Sequence, residues 1–360
     1  MSYSICGIQQ IGLGNDHVYK TWEYYRKYLG MDLPIFDEAA EAGLMLPYTG
    51  GQPRKRHAVL ALNYQGGGGV EIWQYTERKA SYPKEKISIG DLGIFSVKYK
   101  AEDVEAVYHK FKSEGLNILT DVHSNPFGEK HFFCADILRN VFEIVDCSDD
   151  WYAQGISDTG GVYGCTIGVS DMDTSLIFYR DILGYDQIEG DQTAIFDDFA
   201  PLGGTENTYR RVLLTHSESR VGPFSRLLGK SYIELVQNMT TPPKKIFEDR
   251  FWGDMGYIHL CFDVLGMDQL KNKCTVLDYP FTVDSASSFD MGEAAGRFCY
   301  TEDPDGTLIE FVETHKIPIM KKWNWYLDLT KRSRVKPLAR WMLKALSWNR
   351  VKGEVFPVKK

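Results

Sequence analysis

The sequence contains no apolar run of 18 or more residues, so no segment reads as a membrane-spanning helix. It also lacks paired cysteines. The seven thiols (Cys6, Cys134, Cys147, Cys165, Cys261, Cys274 and Cys299) are odd in number and form no CxxC pair. Most lie among apolar neighbours, as in Leu260-Cys261-Phe262. This excludes a disulfide framework and points to buried thiols in a reducing compartment. The first residues, Met1 to Gly7, carry neither a basic stretch nor an apolar one, so no leader is expected and the location reads as cytoplasmic.

Basic charge is scarce everywhere except at one end. From Lys316 to Lys360 the chain holds 13 Lys and Arg against two acids, leaving 28 basic and 47 acidic residues elsewhere. A body at −19 repels phosphates, which argues against nucleic acid as a partner. The basic segment holds Trp323, Trp325, Trp341 and Trp348, and Pro337 is expected to open a helix over Leu338–Arg350. That helix would group Leu338, Trp341, Met342, Ala345 and Trp348 near one face. Two uses follow from this pattern. The segment docks on the acidic body or on a partner subunit, or it attaches peripherally to a membrane surface. Either a monomer or a homodimer is compatible with it.

What the sequence does have is an internal repeat. Residues 8–30 align with 162–184 without a gap, matching Tyr25-Arg26 to Tyr179-Arg180 and Leu29-Gly30 to Leu183-Gly184. Each copy reads as a strand, then an amphipathic helix stopped by glycine. Strands are expected next over Ala58–Asn63 and Val70–Tyr75, and over Arg211–His216 and Tyr232–Gln237. A second pair matches at an offset of 167, Leu92–Val97 with His259–Val264 and Asp136–Glu143 with Asp303–Glu310. The reading is an α+β chain of four modules, at about 5–80, 88–150, 160–240 and 255–315. The first pair fills 1–153, the second 154–315, and the basic, Trp-rich helical tail 316–360.

All four modules end with a glutamate between two apolar residues, at Glu71, Glu143, Glu234 and Glu310. Side chains alternate across a strand, so each glutamate faces away from its apolar neighbours. For a single strand the ordinary reading is a solvent-facing polar residue. Recurrence at one point of a repeat favours the opposite, an inward-facing set.

The order of strand, helix ending in Tyr-Arg-x-x-Leu-Gly, further strands and terminal glutamate resembles the vicinal oxygen chelate superfamily. That superfamily includes glyoxalase I, epimerases, extradiol dioxygenases and bleomycin resistance proteins. The segment Tyr300-Thr-Glu-Asp-Pro-Asp-Gly-Thr-Leu-Ile-Glu310 carries the resemblance most specifically. It implies βαβββ modules that pair into two cupped barrels, each able to surround one divalent metal. Ligands would come from first strands, here Gln10, Leu92, Gly164 and His259, and from last strands, here the four glutamates.

Leu92 and Gly164 offer no ligand atom, so the resemblance leaves two arrangements. Neighbouring modules would give two incomplete cups, whereas pairing the outer modules would join Gln10, Glu71, His259 and Glu310 around one Zn, Ni, Mn or Fe. Glu310 is then the candidate base, with Glu71 as its alternative, acting on a small molecule with vicinal oxygens. Trp73, Tyr75, Phe298 and Tyr300 are the candidate walls.

Glutathione-dependent members carry basic residues where this chain has Gly14 and Met255, so glutathione is not expected. The stretch Asp290–Cys299 lacks the histidine of ring-cleaving dioxygenases, which puts dioxygenation behind lyase, isomerase or epimerase chemistry. A metal-free protein that sequesters a hydrophobic ligand is the third reading.

Two further features read as structural. Gly66–Gly69 lies between two strands, so it is expected to be a flexible turn and not a phosphate loop. His57, His123, His131 and His216 lack ligand spacing and are expected on surfaces or loops, with His131 or His216 as possible substrate walls.

Overall fold

The computed structural model describes residues 2–286, 289–290, 295–320 and 325–353. Module one runs β1 (Ser4–Asn15), α1 (Val18–Leu29), β2 (Leu33–Glu41), β3 (Lys55–Leu62) and β4 (Gly69–Tyr75). Module two runs β5 (Gly93–Ala101), α2 (Val104–Ser113), the short β6 (Asn117–Ile118) and β7 (His123–Ser124), β8 (Lys130–Ala135) and β9 (Val141–Asp146). Module three has β10 (Thr159–Gly168), α3 (Met172–Asp181), β11 (Gln187–Ala194), β12 (Tyr209–Thr215), α4 (Ser225–Leu228) and β13 (Tyr232–Asn238). Module four has β14 (Gly256–Leu265), α5 (Met267–Val276), the short β15 (Val283–Asp284) and β16 (Phe289–Asp290), β17 (Ala295–Glu302) and β18 (Leu308–Met320). The chain then adds β19 (Trp325–Asp328) and α6 (Arg340–Leu346).

The helices follow their apolar spacing. In α1 the buried residues Val18, Trp22, Tyr25 and Leu29 recur every three or four positions, the stripe that lies on a sheet. Asp103 and Asp171 cap α2 and α3 by accepting from the backbone N–H three residues on, at Ala106 and Thr174. The helix faces and sheet faces meet in one continuous apolar core that includes Tyr25, Tyr99, Phe132, Tyr179 and Phe262.

Sheet order decides how the modules pair. One curled sheet reads β15-β17-β18-β14-β1-β4-β3-β2, and the other β11-β12-β13-β10-β5-β9-β8-β6. The outer modules therefore share one sheet and the inner modules the other. In each sheet the first strand of a module is parallel to its last strand and antiparallel to the first strand of the partner module. Antiparallel β1 and β14 form the central seam of the outer sheet.

The Gly66–Gly69 turn joins β3 to β4 as expected, but it is clamped rather than flexible. Gly67 N–H donates to Leu227 O, Gly68 pairs with Val162, and a Cβ on Gly67 would stand 2.7 Å from the Gly161 carbonyl carbon. The clamp is a contact between the two sheets, which explains the run of residues without side chains.

The tail helix is shorter than expected, Arg340–Leu346 followed by a 3-10 turn at Ser347–Asn349. Leu338 precedes it in extended chain, and its N–H donates to Pro223 O. The buried face is Leu343, Ala345 and Leu346, while Trp341 and Trp348 are 56% and 66% exposed. Packing of the small and aliphatic groups over Leu33, Leu62 and Leu227 set the rotation, against the aromatic face expected from sequence. Arg350 pairs with Asp32 at 2.6 Å and Arg334 with Glu313 at 3.0 Å, so the basic segment lies on the chain's own acidic residues. Trp323 lies outside the described residues. Among those described, no helix is long and apolar enough to cross a membrane.

Candidate metal centre

Strand register builds the site. Parallel pairing sets Gly12 opposite Glu71 and Cys261 opposite Glu310. Gln10 and His259 each sit two residues earlier on their strands, hence on the same face as the glutamates. Across the seam Gly12 faces His259 and Gln10 faces Cys261, which draws both modules' side chains together. His259 Nε2 lies 3.1 Å from Glu310 and 3.4 Å from Glu71. Gln10 Nε2 donates to Glu71 at 3.3 Å and to Glu310 at 3.4 Å.

All four side chains are buried, His259 completely. Glu71, His259 and Glu310 each offer a ligand atom, and these atoms lie within 4.8 Å of one another. Gln10 Oε1 and His259 Nε2 are buried without a hydrogen bond of good geometry. Buried polar atoms of this kind are uncommon and call for an explanation such as an ion. One imidazole, one amide oxygen and two carboxylates form a donor set that fits a divalent first-row metal.

Burial alone would lower the His259 pKa, but Glu310 and Glu71 outweigh it and hold the pKa near 9. Burial pushes the Glu71 carboxyl up, yet His259, Arg56 and Gln10 bring it below its ordinary value. Tyr300 is driven well above 10 by burial, with Glu310 and Glu71 adding to the effect. Trp252 Nε1 approaches His259 Nδ1 at 3.4 Å, and its indole lies nearly parallel to the imidazole.

Glu71 and Glu310 open onto a cleft of about 200 Å³. Three of the four expected wall residues line it, Trp73, Phe298 and Tyr300. Tyr75 does not. Its ring packs against Trp73 and its hydroxyl donates to Trp252 O, so it supports the wall from behind. The sequence reading missed Phe36, Met45, Arg56 and Trp252 as lining residues. Trp252 belongs to the joint between modules, where the repeat offers no counterpart. Arg56 announces itself only through cross-strand position, donating to Glu38 at 3.0 Å.

In the second sheet the expected first-strand place Leu92 is corrected to Ser96. Gly93 to Gly256 and Val104 to Met267 are both 163 apart, whereas Glu143 to Glu310 is 167. Gly93 and Gly256 also share a φ near 120°, at 122° and 121°. Four extra residues thus fall after α5 in module four, and a gapless alignment shifted β5 by the same number. The register agrees, since Glu143 pairs with Lys98, two residues beyond Ser96.

Lys98 fills the second cup. Its ammonium contacts Glu143 and reaches Glu234 at 2.7 Å. Arg211 bonds Glu234 at 2.7 Å and Asp198 at 2.8 Å, and His131 Nδ1 meets Glu143 at 2.7 Å. His131 is fully buried within β8, against the surface or loop position expected, whereas His216 lies in the loop just past β12 as expected but is buried there. Burial raises the Glu234 carboxyl, but Arg211 and Lys98 bring it down to about 2. This cup is closed by its own cations and offers no open ligand set.

These features place the fold and its site together. The profile of the Glyoxalase/Bleomycin resistance protein/Dioxygenase superfamily matches residues 7–144 and 162–311, and the chain belongs to that family. Among solved structures it is similar to glyoxalase I from Zea mays, at 13% identity over 87% of this chain and 92% of that one, with a TM-score of 0.54. It is also similar to a putative dioxygenase from Bacillus subtilis, at 15% identity over 86% of each chain and a TM-score of 0.54. At these identities the likeness concerns the fold alone. No curated protein matches the chain.

Proposed function

We propose that this chain is a divalent-metal-dependent enzyme whose single centre uses Gln10, Glu71, His259 and Glu310. It would hold Zn, Ni, Mn or Fe and move a proton on a small molecule with vicinal oxygens, as a lyase, isomerase or epimerase without glutathione. The observation that carries this reading is the convergence of four ligand-type side chains, Gln10, Glu71 and Glu310 at the floor of an open cleft and His259 buried behind them, with Gln10 Oε1 left without a partner.

Gln10, Glu71, His259 and Glu310 would hold a divalent cation, which would supply Lewis acidity toward an oxygenated substrate. The protein groups do the rest. Trp73, Phe298 and Tyr300 exclude water around the reacting carbon. Glu310 is the candidate for the group that takes and returns the proton, with Glu71, beside Arg56 and Gln10, as its alternative. Tyr300, held protonated, can donate toward a developing oxyanion.

Metal analysis tests the reading. Protein purified without supplementation, then incubated with each of the four ions, should retain close to one equivalent per chain. His259→Ala should retain none. Failure to bind any of the ions would favour a metal-free protein that sequesters a hydrophobic ligand.

A further inference from the structure

The concave face of the outer sheet does not end at the metal cluster. Alternation along β18 points Val312 and Thr314 the same way as Glu310, and along β3 it points Leu62 the same way as Leu60. Leu60 is the cross-strand partner of Glu71. Moving about 7–13 Å along these strands, at roughly 3.3 Å per residue, the surface turns largely apolar, with Gln9, Thr314 and Asn349 as the polar members of its lining. There a second cavity of about 80 Å³ is lined by Leu33, Leu62, Leu227, Ile317 and Leu346. Gln9, Leu60 and Val312 line both this slot and the cleft above the carboxylates. The tail helix roofs the slot through Leu346, and Asn349 adjoins it.

We infer that the substrate is an amphiphile, with an oxygenated head at the Glu71–His259–Glu310 cluster and an unbranched apolar tail in the slot under α6. The head-group half of this inference rests on the metal-centre reading; the tail half rests on the slot alone. Two features of the face support it. The polar groups are concentrated at one end, and the far end offers no buried charge to recognise a second polar group. The occupant must also be narrow, since the slot is small and is bounded by Leu346 and Leu227, both buried. A linear aliphatic chain meets that shape, and each methylene removed from water adds about 0.8 kcal/mol, about fourfold in affinity.

Calorimetric titration tests both halves separately. Against Mn-loaded protein, 2-hydroxyalkanoates of four, six, eight and ten carbons should tighten by about fourfold per methylene, then level off when the slot is full. Against metal-free protein, straight-chain alcohols of the same lengths should show the same dependence with weaker overall binding. Thr314→Phe, at a half-buried position on the slot wall, should flatten both series while Mn stoichiometry stays unchanged. Leu346→Ala should move the levelling point to longer chains. If Mn does not bind but the alcohol series still rises, the tail assignment stands and the metal reading fails. Flat series in the wild-type protein, or an unaltered slope in Thr314→Phe, would overturn the inference.

Discussion

Gly12 and His259 are cross-strand partners, and the imidazole occupies the space that a side chain at residue 12 would need. A Cβ on Gly12 would stand 2.3 Å from Cε1 and 2.5 Å from Nδ1 of that ring. Neither contact is possible, so the glycine is required by the histidine. The matching residues in the second sheet, at offsets of 154 and 163, are Thr166 and Ser96.

Gly12→Ala should therefore displace His259 while leaving the sheet paired. The expected cost in stability is about 1–3 kcal/mol, as for other overpacked sites. Mn affinity measured by titration should fall at least tenfold. Unchanged affinity would mean that the imidazole is not a ligand.

Metal loading should release a proton. With the His259 pKa near 9, the imidazole of the metal-free protein is charged at pH 7 and must become neutral to bind. Between pH 6 and pH 8, Mn affinity should rise by about tenfold per unit. Titrations in buffers of different ionisation enthalpy should count one proton. A flat profile would show that the imidazole is already neutral.

The second cup makes a stability prediction. Lys98→Met removes one ammonium from between two buried carboxylates and leaves Glu143 and Glu234 short of a cation. Losing one partner of such a pair costs about 3–5 kcal/mol. Urea unfolding should show this loss, and adding Glu143→Gln should restore part of it. A change below about 1 kcal/mol would mean that water reaches the cup and screens it.

Asp263 should set a pH dependence of the opposite kind from an ordinary surface carboxylate. It is completely buried beside Cys6, and burial, reinforced by Glu313, raises its pKa to about 8. A carboxyl whose folded pKa is raised binds its proton more tightly when folded. Its contribution is full below the unfolded value near 4, declines as pH climbs, and is spent above about 8. Asp263→Asn should leave stability at pH 4 nearly unchanged and raise it by a few kcal/mol at pH 8.5. Thermal unfolding at the two pH values checks this, and equal shifts at both would refute it.

Much of this arrangement was legible because strands report their faces directly. A glutamate between two apolar residues has only one direction left, and all four of them are buried. The helices of modules one and three were legible because their apolar stripes and closing glycines repeat. Register was harder. A length change after α5 moved Leu92 into the place of Ser96, since a gapless match cannot show where residues were added. Lys98 was missed for the same reason. Trp252 and Phe36 carry no local pattern that marks a wall, because a cleft is formed by elements distant in sequence. The tail helix was legible from Pro337, but its buried face was not, because packing partners and not residue size chose its rotation.

The seam between β1 and β14 also governs the order in which the molecule can be completed during synthesis. Asn15 leaves the ribosome long before Gly256, so β1 must wait with its seam edge unpaired while the inner sheet is made between them. α4, which packs on β1, emerges during that interval and can shelter part of the edge. A transcript cut short before residue 256 could still yield β5 joined to β10, yet it would hold only Gln10 and Glu71 of the four-group cluster. Such fragments carry half of the proposed donor set, so metal binding is expected only of chains translated nearly to the end.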